Sequence, residues 1–126
     1  MYKAYTRGHE KHNLTKFYIN CTILTLIEKG KKMFYVLTSH NIHALKRQFD
    51  TLDKNDTTVL INTLNKDYEK IAEEYCKSEK IRYFVTSSDG TAATGKNSFL
   101  DQFEQDGIPY AVLIDGDDYL TSFGVK

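Results

Sequence analysis

The stretch "MFYVLTSHNIHALKRQFDTL", Met33–Leu52, opens on five consecutive apolar residues, passes through the polar turn "TSHN", and continues into a segment with a different period. A strand that is continuously apolar rather than alternating is buried on both faces, as in a parallel sheet covered by helices. Ile42, Leu45 and Phe49 then recur at the spacing of one helix face. The stretch therefore reads as strand, turn, helix. The same form repeats downstream. "TTVLINTLNKD" (57–67) leads into "YEKIAEEYCKSEK" (68–80), where Tyr68, Ile71 and Tyr75 define the apolar face. "IRYFVTSSDG" (81–90) leads into "TGKNSFLDQFEQDG" (94–107), capped at Thr94 and faced by Phe99 and Phe103. Gly107 and Pro109 stop that helix, and "YAVLIDGDD" (110–118) supplies a fourth strand.

This βαβαβαβ alternation predicts an α/β, Rossmann-like three-layer fold with a mainly parallel sheet. Upstream, two β-rich runs around "EKGKK" make residues 14–30 an extra strand or hairpin leading into Met33. A chain of 126 residues is long enough for one core and short for two, so residues 1–126 are expected to form a single domain.

Composition narrows the function classes. Seventeen Lys and Arg balance seventeen Asp and Glu, which argues against a general nucleic-acid-binding surface or an anionic membrane as partner. No apolar run approaches the ~20 residues of a membrane span, and no leader pattern opens the chain. Cys21 and Cys76 lie far apart, which suits free thiols in a reducing compartment. A cytoplasmic location is expected.

In open parallel sheets, ligands bind beyond the carboxyl ends of the strands. The polar turns there are "TSHN", "NTLNKD", "TSSDG" and "DGDD". The last places Asp115, Asp117 and Asp118 around Gly116. Such carboxylates suit a hard divalent cation, Mg²⁺ or Mn²⁺, that also carries phosphate oxygens. The competing reading is a solvated acidic turn. "GTAATGKN" (90–97) has P-loop spacing, but Asn97 stands where a metal-binding Ser or Thr is needed. Gly95 and Lys96 near a helix start still offer phosphate contacts. His9, His12, His40 and His43 have no ligand-spaced carboxylate or cysteine partner and read as solvated side chains rather than a zinc site.

Taken in order, "VLTSHN", "TGKNSFLDQFEQDG" and "GIPYAVLIDGDDYL" resemble the nucleotide-binding half of inverting GT-A-type (family 2-like) glycosyltransferases over roughly residues 33–120. The resemblance implies a nucleotide-diphospho-sugar as ligand, a UDP-sugar above all. It implies that Thr38 and Asn41 line the nucleoside pocket and that Lys96 lies near the diphosphate. Asp115 would contact ribose or base and share with Asp117 a Mn²⁺ or Mg²⁺ ion, with Asp118 as an outer contact. The family's acidic turn after the second strand is replaced here by "INTLNKD", which offers Asn62, Asn65 and Asp67, and Asn65 stands for the nucleotide contact. The chain stops six residues after Leu120, before the half that supplies the acceptor site and the catalytic base. The expectation is thus the donor-binding part of a glycosyltransferase, truncated, with its acceptor unidentified. The alternatives are a non-enzymatic nucleotide- or partner-binding module and, behind it, a phosphoryl-transfer enzyme using "GTAATGKN".

Overall fold

A computed structural model describes residues 3–7, 14–18, 32–86 and 91–115. It contains strands β1 (Lys3–Arg7), β2 (Leu14–Tyr18), β3 (Lys32–Thr38), β4 (Thr57–Ile61), β5 (Arg82–Val85) and β6 (Tyr110–Asp115). Helix α1 (Ile42–Gln48) follows β3, α2 (Lys66–Glu79) follows β4, and α3 (Ala92–Asp106) follows β5. The sheet order is β2-β1-β6-β3-β4-β5. Strands β6, β3, β4 and β5 are mutually parallel, while β1 runs antiparallel to β6 and to β2. The fold is α/β, with a Rossmann-like parallel sheet between helical layers.

The crossovers place the layers. From β3 the chain steps to β4 and then to β5 in one direction, so right-handed connections put α1 and α2 on one face. From β5 it returns past β4 and β3 to β6, so α3 covers the other face. The core divides accordingly. Phe34, Val36, Val59, Ile61, Val112 and Ile114 meet Leu45, Ala72 and Cys76 on the first face. Tyr35, Leu60 and Ala111 meet Phe99 and Phe103 on the second. Each of these fully buried phenylalanines is worth roughly 1.5–3 kcal/mol in removed apolar surface.

Two expectations are corrected and a third is extended. The buried stripe of α2 is Tyr68, Ala72 and Cys76, while Ile71 is 47% exposed. Small residues at positions 72 and 76 let the helix approach the sheet, and that approach turns position 71 outward. The N-cap of α3 is Thr91, not Thr94: its hydroxyl accepts from the Thr94 N–H at 3.3 Å, which starts the helix three residues earlier. The extra strand expected within residues 14–30 is present as Leu14–Tyr18; its hairpin partner is Lys3–Arg7, which precedes that segment, and residues 19–31 lie outside the described ones. Gly107 ends α3 as expected, in the left-handed region at φ 69°. Cys76 is a free, fully buried thiol, pushed up to about 12 by burial and then by the Glu73 charge; Cys21 lies outside the described residues.

Candidate functional site

Strand order reverses between β3 and β6: one connection leaves β3 toward β4, the other arrives at β6 from β5. A crevice outside the carboxyl ends of two such strands is where ligands bind in open α/β sheets. The register pairs Leu37 with Asp115, so the "TSHN" turn and the start of "DGDD" share one edge, side by side. Asp115 is exposed there, while Asp117 and Asp118 lie outside the described residues. Among the described residues no three His, Cys, Asp or Glu side chains gather as a metal-holding group. Asp115 itself is an accessible oxygen donor of the kind Mg²⁺ and Mn²⁺ prefer.

Side-chain alternation decides what shares this edge. Met33, Tyr35, Leu37, Ala111 and Leu113 face α3, and Asp115 continues that row. The first turn of α3 lies over the same spot. A Cβ added at Gly95 would stand 2.9 Å from Leu37 Cδ2 and 2.5 Å from Asn62 Nδ2, so only glycine permits this approach. Lys96 follows directly and is half-buried. The Gly95 N–H donates to Thr91 O at 3.1 Å as part of the helix. That amide is spent, and the residue serves packing rather than the phosphate-wrapping loop of a P-loop.

The other expected site residues are held by local bonds. Asn41 caps α1, accepting from the Ala44 N–H at 3.1 Å, and Asn65 caps α2, accepting from the N–H groups of Asp67 and Tyr68 at 3.0 and 3.1 Å. Both remain exposed at the same edge. Thr38 points to the opposite face, is buried, and shares a hydrogen bond with the Tyr68 hydroxyl. Its hydroxyl is engaged inside the core rather than presented at the edge. His40 is exposed, with Nδ1 2.8 Å from Ser39 Oγ, and His43 is exposed on α1; His9 and His12 lie outside the described residues.

Sequence reasoning named Asn62 only as a turn residue. It is 2% exposed and its backbone N–H donates to Thr38 O at 2.8 Å. Its Nδ2 donates to Thr91 O at 3.2 Å, and its Oδ1 accepts from Thr86 Oγ1 at 3.0 Å. One buried amide thus ties together the ends of β3, β4 and β5 and the start of α3. The signal was an Asn directly after a run of buried strand residues, where a polar side chain must find partners.

Away from this edge, Ile42, Lys46, Ile71, Glu74, Tyr75 and Ser78 line a cavity of about 350 Å³ between α1 and α2. It contains none of the expected site residues. No helix among the described residues is long and apolar enough to cross a membrane. Comparison with protein-family models, curated proteins and solved structures returns no match for this chain.

Proposed function

We propose that this chain is the donor-binding part of a metal-dependent glycosyltransferase, holding a nucleotide-diphospho-sugar, a UDP-sugar first, at the β3–β6 edge. The observation that carries the reading is the β3–β6 register. It sets the exposed Asp115 beside Leu37, on the face where the Gly95–Lys96 turn of α3 is packed. That arrangement supports a carboxylate and an ammonium near one diphosphate, the two groups the chemistry needs.

In this reading Asp115 and Asp117 hold Mn²⁺ or Mg²⁺, which would neutralise charge on the departing nucleoside diphosphate. Lys96 adds a fixed positive charge to the same leaving group. Asn41 and Asn65, exposed at the strand ends, are the candidates for ribose and base. An acceptor hydroxyl, deprotonated by a base outside these residues, attacks the anomeric carbon in one inverting step. The metal is required by charge: a diphosphate beside carboxylates is repelled unless a cation stands between them.

Calorimetry of UDP with Mn²⁺ and with EDTA tests the proposal, repeated on Asp117→Ala. Binding is expected with Mn²⁺ and is expected to disappear in EDTA and in the variant. Equal affinity in EDTA, or an unaffected Asp117→Ala, would leave "DGDD" as a solvated acidic turn. Hydrolysis or transfer of a bound UDP-sugar would separate a transferase from a module that only binds.

A further inference from the structure

The geometry points to Asn62 as a positioning residue for the donor site: it acts on the bound diphosphate through the first turn of α3, without touching the ligand. The inference rests on the site proposed above and adds the part that aims it. A carbonyl oxygen can only accept, so Thr91 O fixes the amide orientation, with Nδ2 toward α3 and Oδ1 toward the Thr86 hydroxyl. An amide at this reach supplies both functions at once. Aspartate would set a carboxylate against the Thr91 carbonyl, and alanine would leave Thr91 O and the Thr86 hydroxyl without this partner.

The second half of the device is Gly95. Its Cα is so close to Asn62 that a Cβ would stand 2.5 Å from Nδ2 and 3.1 Å from Cγ. The helix is therefore seated on the amide by hydrogen bond and by contact, one residue before Lys96. Asn62 also receives its own backbone geometry from Thr38 O, the last residue of β3. A shift of this side chain moves the start of α3 relative to Leu37, the residue of β3 whose register partner is Asp115. The neighbouring caps have no such reach: among the described residues, the side chains of Asn41 and Asn65 accept only from N–H groups of their own helix starts.

The test is a double-mutant cycle on UDP·Mn²⁺ affinity, with unfolding measured separately on every variant. Asn62→Ala and Asn62→Asp are each expected to weaken UDP·Mn²⁺ by about tenfold, a coupling in the ordinary range for residues in contact. In a Lys96→Ala background the same substitutions should cost less than about twofold, because the group being aimed is gone. A role confined to stability would not show that loss of effect. Gly95→Ala provides a second route if the Asn62 variants fold poorly, since it displaces the same turn from the helix side. It too should be non-additive with Lys96→Ala. Thr58→Val, at the other end of the sheet, serves as a destabilising control that leaves affinity unchanged. Full additivity with Lys96→Ala, or wild-type affinity in folded Asn62→Ala, overturns the inference while the donor site stands. Absence of UDP·Mn²⁺ binding by the unaltered chain overturns both.

Discussion

The two edges of the parallel sheet use polar groups in opposite ways. At the amino edge, Arg82 of β5 donates to both carboxylate oxygens of Asp106, at 2.8 and 2.6 Å, and to Thr58 Oγ1 at 3.0 Å. Tyr35 and Gln102 donate to the same carboxylate, so three side chains, from β5, β3 and α3, converge on Asp106. The Arg82 guanidinium also lies over the Phe84 ring, 4.8 Å from its centroid. At the carboxyl edge, Asn41, Asn65 and Thr91 cap their helices and Asp115 stays exposed. The first arrangement consumes its donors and acceptors internally; the second keeps a carboxylate accessible to solvent. Under the proposed function, stability belongs to one edge and ligand chemistry to the other.

If that division is right, substitutions at the two edges should separate stability from binding. The largest expected effect is at Asp106. Replacing it with alanine leaves a buried tyrosine hydroxyl without its acceptor and removes the carboxylate facing Arg82, a cost of about 3 kcal/mol. Chemical unfolding should show this, and the fraction that remains folded should bind UDP·Mn²⁺ with unchanged affinity. A loss of affinity matching the loss of stability would erase the distinction between the edges.

Gly95→Ala comes next, because the added Cβ must displace Asn62 or Leu37. Overpacking of this kind costs about 1–3 kcal/mol, read as a lower urea midpoint, and here it should be accompanied by weaker UDP·Mn²⁺ binding. A change in stability alone would mean that α3 is not aimed by this contact.

The Asp106 network also predicts an acid dependence. Burial alone would raise this carboxyl, but hydrogen bonds from Arg82, Tyr35 and Gln102 outweigh it and hold the group below the ordinary carboxylate range. The unfolded chain therefore takes up the proton first as pH falls. The stabilisation is complete above the ordinary aspartate range, near pH 4, and is lost as pH drops through the depressed folded-state value. Urea midpoints at pH 7 and pH 3 should differ less in Asp106→Asn than in the unaltered chain. An identical difference would place the acid sensitivity elsewhere. The smallest stability effect is at Asn65, where alanine should cost about 1 kcal/mol through the lost cap while aspartate, also a capping residue, should cost little. Thermal unfolding of the two variants separates these outcomes.

How much of this was legible follows from the range of the interactions. The strands β3, β4 and β6 announce themselves by continuous apolar runs, and the helices by one-face spacing, because both signals are local. The start of α3 was displaced because Thr91 and Thr94 are both capable caps, and only the fold selects between them. Lys3–Arg7 carries no apolar run; its strand exists through pairing with β6, more than a hundred residues away. The Arg82–Asp106 pair spans 24 positions and consists of residue types common on any surface. At the site, the shared edge of Asp115, Asn41 and Lys96 followed from the strand alternation. The inward turn of Thr38 and the anchoring role of Asn62 did not, since both depend on which face each strand presents.

Paramagnetic broadening of amide NMR signals by Mn²⁺, recorded with and without UDP, tests the central claim most directly. The account predicts UDP-dependent broadening centred on Asp115 and extending to Leu37–Asn41 and Gly95–Lys96, with Arg82 and Asp106 at the far edge untouched. Broadening that ignores UDP, or that centres on the Arg82–Asp106 edge or the α1–α2 cavity, would contradict it.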